Sequence, residues 1–441
     1  MRGRSDVREA VEPGSHPQRR SGGPPGNAED AGGGAEANQR NRAFQSLRFL
    51  FAVGIECSAP LVAGGRRVDE LQETGHYEQW EKDLALVRGL GVGYVRYGLP
   101  IHRIFQGPGR YDWSFADRVL GRIRELGLEP ILDLVHFGLP DWLVSFQNPE
   151  WPQHVAAYAR ADAERYPWIR FYTPVNEIYI TAQFSAAFGW WNERLRSDEG
   201  FVRNLKHSVQ ASRLVMSEIL EVRPDALFIF SESTEYVHPG SPDMVRAAQF
   251  LNERRFLSFD LLFGHDVSAR AYTYLMRSGM TATEYDEFHA GDSYRSHCIM
   301  GTDYYVTNEH VLRRDGRTIG SGEVYGYYVI TRQYYDRYRI PVMHTETNRN
   351  CQQATMWLWK QWMNLLRLRD DGVPIIGFTW YGLVDMKDWD SALTRPRGHV
   401  NRVGLYSLSR RPRKVALEYQ RLIQEYGHLE ISRTKLPVLT A

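Results

Sequence analysis

The sequence predicts an α/β chain folded as a single (β/α)8 barrel with long loops after its strands, and three observations carry that expectation. From residue 44 onward, short apolar runs alternate eight times with longer amphipathic stretches. No Pro/Gly/Ser-rich linker and no second change of composition interrupts the alternation. No glycine-rich phosphate loop follows the first apolar run, although an open nucleotide-binding sheet would carry one there. Strands that alternate with helices pair in parallel, because each crossover helix returns the chain to the same end of the sheet. Eight such units close into a barrel of about 250 residues or more, with the active site at the C-terminal ends of the strands.

In chain order, the apolar runs Leu50–Ile55, Gly93–Tyr97, Pro130–His136, Ile169–Val175, Leu227–Ser231, Ile299–Tyr305, Pro341–Glu346 and Pro374–Trp380 read as strands. Between them, His76–Gly89, Ser114–Glu125, Gln153–Tyr166, Phe201–Glu221, Asp243–Leu257, Gly322–Tyr338 and Thr355–Arg369 read as helices, and Arg413–Tyr426 as a closing one. Their apolar residues recur at i, i+3 and i+4, as Leu84 and Val87 do in the first.

Composition narrows the function. Lys+Arg total 54 and Asp+Glu 53, so no global field draws the chain to nucleic acid or an anionic membrane. The longest charge-free stretch, 178–192, is too short and too polar to span a bilayer. Three cysteines, Cys57, Cys298 and Cys351, make neither a disulfide framework nor a C-x-x-C metal site, and no secretory signal is legible, so a cytoplasmic location is expected. Residues 1–43 lack Phe, Trp and Tyr and carry seven Arg against six acidic residues; they read as a disordered tail before the barrel, 44–430, with 431–441 as a C-terminal tail. The 12 Trp, 25 Tyr and 19 Phe therefore fall in the barrel portion, where they either build a large core or line something.

Polar residues at strand ends are the informative ones, since a buried strand finishes apolar unless a site needs chemistry. The ends read Glu56, Arg96, His136, Asn176-Glu177, Ser231-Glu232, Tyr304-Tyr305, Glu346 and Trp380. Glu177 and Glu346 end the fourth and seventh strands, on opposite sides of a barrel mouth. Opposed carboxyls beside aromatic rings suit glycoside hydrolysis, one as a general acid and the other as nucleophile or base; a structural ion-pair network is the alternative for both.

The same residues carry a resemblance. Arg96 to Phe105 resembles R-F-S-x-x-W-x-R-I-x-P, and Pro130 to Pro140 resembles P-x-x-T-L-x-H-W-D-L-P. Val175-Asn176-Glu177 falls on T-x-N-E-P, Thr302-Asp303-Tyr304-Tyr305 on G-x-N-Y-Y, and His344 to Asn348 on I-T-E-N-G. Trp380 to Trp389 resembles W-S-L-L-D-N-F-E-W with one extra residue, and Arg402 to Tyr406 resembles R-F-G-L-x-Y. Together, in order from about residue 48 to 427, these motifs resemble family 1 glycoside hydrolases, the β-glucosidase type of a retaining clan, with this chain as a divergent member or a neighbour in that clan.

The resemblance implies Glu177 as acid/base, Glu346 as nucleophile and Asn176 as a partner of the sugar 2-hydroxyl. It implies Arg96 and Tyr304 as the groups that hold Glu346 ionised, His136 as a hydroxyl contact, Trp380 as a ring under the sugar and Trp389 as an indole donor. Asp388 stands for a sugar-binding Glu, and Glu56 lies near the place of a sugar-binding Gln. Pro174, Ile178, Phe137-Gly138 and Thr347-Asn348 also depart from the pattern, which leaves the catalytic pair and rebuilds the sugar-selecting subsite. Arg395, Arg397 and Arg402 lie in a loop that either meets an anionic sugar or is simply solvated.

The expected activity is a retaining, exo-acting β-glycosidase on a carbohydrate or glycoside substrate, able to transglycosylate and needing no metal or cofactor. An endo-acting glycanase of the same clan and a non-catalytic carbohydrate-binding barrel are the alternatives. Sugar, linkage, aglycone and oligomeric state stay open.

Overall fold

The computed structural model describes residues 48–290 and 294–431. The expected tail, 1–43, and all but the first residue of 431–441 lie outside the described residues. Eight parallel strands close into a barrel of the TIM type: β1 Leu50–Ile55, β2 Tyr94–Gly98, β3 Glu129–Asp133, β4 Phe171–Thr173, β5 Leu227–Ser233, β6 Cys298–Asp303, β7 Val342–Glu346 and β8 Ile375–Tyr381. β8 closes on β1 in parallel, with Leu50 opposite Gly377 and Gly54 opposite Tyr381.

The main helices are α1 His76–Leu90, α2 Ser114–Glu125, α3 Trp151–Arg165, α4 Asp198–Val222, α5 Leu257–Leu262, α6 Gly326–Tyr338, α7 Ala354–Asp370 and α8 Lys414–Tyr426. Local chemistry sets their ends. Ser197 accepts from the Gly200 amide to cap α4, and α1 stops at Gly91 with φ +83°. The expected single helix 243–257 is instead Val245–Arg254 followed, after a break at Arg255-Phe256, by α5. Two further helices, Ala269–Arg277 and Ala282–His289, were not read from the sequence; Ser268 caps the first, and a Thr281/Glu284 capping box opens the second.

The barrel interior is filled at its lower end by Leu50, Ala52, Ile131, Phe171, Leu227, Ile229, Ile299, Met343 and Ile376. A larger apolar layer packs between strands and helices, where Phe378 meets Trp362 of α7 and Tyr419 of α8. Gly54 has a specific reason: a Cβ there would lie 1.9 Å from the Tyr381 ring, which folds over β1. Long loops after β5 and β6 contribute a small sheet, Tyr236–Pro239, Glu309–Leu312 and Thr318–Gly320, at the mouth. No helix among the described residues is long and apolar enough to cross a membrane.

Candidate active site

Above the apolar floor the inward-facing residues turn polar. Arg96 of β2 is fully buried and reaches three strands at once. Its Nη1 donates to Glu346 Oε1, and its Nη2 donates to Asn176 Oδ1 at 2.5 Å and to Asp133 Oδ1 at 3.1 Å. Burial disfavours charge on this guanidinium, but Asp133 and Glu346 outweigh it and hold the group firmly protonated. The same contacts, with His136, keep Asp133 below the usual carboxylate range despite its burial.

Glu346 ends β7 and is 5% exposed. The Tyr305 hydroxyl donates to its Oε2 at 2.7 Å. With Arg96 on the other oxygen, a cation and a neutral donor fix both carboxylate oxygens. Glu177 sits in another environment. It follows β4 at φ +40°, at the start of the short helix Ile178–Ala182, and its amide donates to the Ser231 carbonyl at 2.8 Å. Among the described residues no side chain donates to its carboxyl. Burial first, then the charges of Asp303, Glu346 and Glu232, push that carboxyl well above its ordinary value.

His136 lines the cleft, with Nδ1 3.1 Å from Asp133 Oδ2 and Nε2 3.2 Å from Asn176 Nδ2. The second contact makes Nε2 the acceptor and Nδ1 the protonated nitrogen. Cys57, Asp133 and His136 place ligand-type atoms within 4.8 Å of one another. Asp133 is already engaged by Arg96 and His136, and the guanidinium opposes a second cation there. Glu56 also lines the cleft, accepting from the Ser58 amide at 2.9 Å, and burial raises its carboxyl.

Three expected contacts are corrected. Tyr304 does not touch Glu346: its hydroxyl donates to Glu309 at 2.8 Å, and its ring stacks on Trp357 of α7. Residues 299, 301 and 303 of β6 point into the barrel, so 304 points out and Tyr305 points in. Trp380 is likewise turned outward. It is fully buried in the layer beneath the helices and donates to the Val403 carbonyl at 3.3 Å. Tyr381, next along β8, faces inward instead; its ring lies parallel to that of His136 at 6.1 Å and under the Arg96 guanidinium at 5.3 Å. Starting the W-S-L-L-D-N-F-E-W motif at Tyr381 also removes the extra residue.

Asp388 is the third. At φ +53° it turns from the cleft and accepts from the amides of Arg397, Gly398 and His399 at 2.8 Å each, which ties the loop down. Trp389 does line the cleft, against Phe137 and Trp191, and its buried indole N–H has no partner among the described residues. In the adjoining loop, Arg395 and Arg397 line the cleft while Arg402 does not; Arg397 pairs with Asp390 at 3.2 Å.

The cleft holds about 1340 Å³, with Glu56, His136, Glu177 and Glu346 among its walls. Phe184, Phe188 and Trp190 pack ring on ring along it, with centroids 4.7–5.8 Å apart. Asp133, Asp303 and Tyr381 were not singled out from the sequence, and Tyr305 was read there only as a strand end. The inward parity of each strand, carried to its last residue and for Tyr305 two residues past it, is the signal that finds them.

The model of glycosyl hydrolase family 1 matches residues 67–312. Over 124 residues, about a quarter of either chain, the sequence is 32% identical to a bifunctional β-D-glucosidase/β-D-fucosidase of Bifidobacterium breve. Over 373 residues, covering 73% of this chain and 78% of the other, it is 22% identical to the aryl-phospho-β-D-glucosidase BglH of Bacillus subtilis. Among solved structures, a β-glucosidase of Thermotoga maritima superposes with a TM-score of 0.74 at 18% identity, over 87% of this chain and 98% of that one. With more than half its length inside the family model, the chain belongs to glycosyl hydrolase family 1 and is an O-glycosyl hydrolase.

Proposed function

We propose that this hydrolase is a retaining, exo-acting β-glycosidase in which Glu346 is the nucleophile and Glu177 the acid/base. One observation carries the assignment: the two carboxyls sit in opposite electrostatic settings. Glu346 has a guanidinium and a phenol on its two oxygens, which suits a carboxylate that must stay ionised. Glu177 is buried among other carboxyls with no side-chain donor among the described residues, which suits one that must arrive protonated.

In the first step Glu346 attacks the anomeric carbon while Glu177 gives its proton to the departing glycosidic oxygen. A glycosyl ester forms and the alcohol leaves. In the second, Glu177 takes a proton from water as the water oxygen displaces Glu346, restoring both groups. An alcohol in place of water gives transglycosylation. Asn176, fixed by Arg96 and His136, is placed to bond the sugar 2-hydroxyl, with Glu56 and Trp389 as further sugar contacts. Asp388 holds the loop behind Trp389 rather than meeting the sugar.

Exo action is supported by where the rings lie. Among the described aromatic residues along the cleft, only Trp190, 39% exposed, is as open as an extended glycan platform requires. Cys57, Cys298 and Cys351 form no disulfide among the described residues, which supports a reducing, cytoplasmic setting. The curated relatives act on β-glucosides, phosphorylated and not, and a β-linked hexoside is the substrate class to screen first.

Replacing Glu346 by Gly and adding azide tests the assignment. The variant is expected to lose activity on aryl β-glycosides, and azide to restore turnover with an α-glycosyl azide as product. If neither the wild-type chain nor the azide-supplied variant turned over any aryl β-glycoside, the reading would fail.

A further inference from the structure

Glu177 stands at the cap position of the buried helix Ile178–Ala182. A side chain in that place commonly turns back to accept from the amide of the second or third helical residue, which has no partner within the helix. Glu177 does not: its carboxyl makes no capping bond and lines the cleft. The amide it leaves, that of Tyr179, donates instead to Glu232 of β5, 3.2 Å from each carboxyl oxygen. Glu232 is itself buried and does not line the cleft. Leu227 and Ile229 of β5 fill the barrel, so strand parity turns 232 the other way, toward the helix.

We propose that Glu232 is a positioning residue that caps this helix in place of Glu177 and so leaves the Glu177 carboxyl free for the glycosidic oxygen. The proposal rests on Glu177 being the acid/base.

Two adjacent residues of β5 hold the segment. β4 ends at Thr173, and the chain docks again where the Glu177 amide donates to the Ser231 carbonyl at 2.8 Å. Two residues on, the Tyr179 amide meets Glu232. Between these ties Glu177 takes φ +40°, a left-handed conformation that a residue with a Cβ adopts at a cost. Without Glu232 the buried Tyr179 amide loses its acceptor. The Glu177 carboxyl, two residues away, is then the acceptor that a cap position supplies, and an unpaired buried amide is costly enough to draw it from the cleft. Burial raises the Glu232 carboxyl to about 8, so at neutral pH it accepts as a neutral acid. Glutamine therefore keeps an equivalent acceptor, whereas leucine keeps the bulk and removes it.

The experiment measures kcat/KM, which reports the first step, on two substrates for the wild-type chain, Glu232→Leu and Glu232→Gln. Methyl β-D-glucoside has an alcohol that needs a proton to leave; 2,4-dinitrophenyl β-D-glucoside has a phenolate that leaves without one. In Glu232→Leu the methyl-to-dinitrophenyl ratio is expected to fall about 30-fold or more, a large part of what a general acid contributes, with the dinitrophenyl value within about fivefold of wild type. Glu232→Gln is expected to hold the ratio within about threefold, since it keeps the acceptor. A merely structural defect lowers both substrates alike, so an unchanged ratio in folded Glu232→Leu would overturn the proposal. A ratio in Glu232→Gln as low as in Glu232→Leu would do the same. Should Glu232→Leu fail to fold, Glu232→Ala carries the test. Glu177→Gln separates the underlying reading: if its ratio matched wild type, Glu177 would not be the acid, whatever Glu232 does.

Discussion

Asp162 lies on α3, far from the cleft, and its burial has a measurable consequence. Its side chain is fully buried, and among the described residues neither carboxylate oxygen has a partner; one turn earlier the buried Tyr158 hydroxyl has none either. Desolvation alone raises Asp162 from 3.8 to about 8. The sign follows from proton counts. Between pH 4 and 8 the unfolded chain has lost this proton and the folded chain keeps it, so stability falls as pH rises through that window. Below pH 4 both states hold the proton and the penalty vanishes; above 8 it is constant. Four pH units at ~1.4 kcal/mol each give a ceiling of about 6 kcal/mol, a large part of the roughly 5–15 kcal/mol that folded domains have. Asp162→Asn has the same size and a charge that does not change. It leaves a buried amide unpaired, at a cost that is the same at every pH. Urea unfolding of both proteins at pH 4.5, 6, 7 and 8 should show the variant gaining on the wild type by about 4 kcal/mol across the series, with kcat/KM unchanged. Parallel stability curves would refute the reasoning, because they would mean that the folded chain carries Asp162 ionised.

Three more outcomes follow from the site geometry. Tyr305→Phe removes the hydroxyl on Glu346 and should lower kcat about 10- to 100-fold, the worth of a hydrogen bond to a charged group, whereas Tyr304→Phe should leave kcat within about twofold and cost ~1 kcal/mol in urea unfolding. Trp389→Phe should raise KM about tenfold with no loss of thermal stability, since its indole N–H has no partner to lose among the described residues; Trp380→Phe should show the reverse in the same two assays, because it breaks the bond to Val403. Gly54→Ala should cost ~3 kcal/mol by driving a Cβ into the Tyr381 ring, and Gly54→Ala/Tyr381→Ala should recover part of it; a single variant as stable as wild type would show that the ring yields freely.

Much of the fold was legible because barrel strands and their helices announce themselves locally. β1 and α2 begin and end at the residues their patterns indicated, and the other strands differ at one end or both by one to three residues. The break within 243–257 and the two helices after it were not legible, since the run of apolar residues there continues across Arg255-Phe256 and the caps at Ser268 and Thr281 are single residues.

Within the site, the two carboxyls were legible because a glutamate ending a buried strand has few structural reasons to be there. Their partners were legible only in part. Tyr304 and Trp380 each lie one residue from the side chain that faces the interior, and side-chain direction reverses at every residue of a strand. On β8 the alternation is also broken early in the strand, where Val342 pairs with Ile375 but Met343 with Gly377, so motif spacing carried along it does not fix the parity at Trp380.

By itself, then, the chain's pattern determined eight parallel units and a pair of glutamates at their C-terminal mouth, since both follow from local periodicity and from which residues tolerate burial. Only the tertiary structure decided that Tyr305 rather than Tyr304 meets Glu346, that Asp388 ties a loop, and that Arg96 is shared among Asp133, Asn176 and Glu346. Those outcomes depend on electrostatics among strands as much as 250 residues apart in sequence, where closure of the barrel, not adjacency along the chain, sets which charges meet.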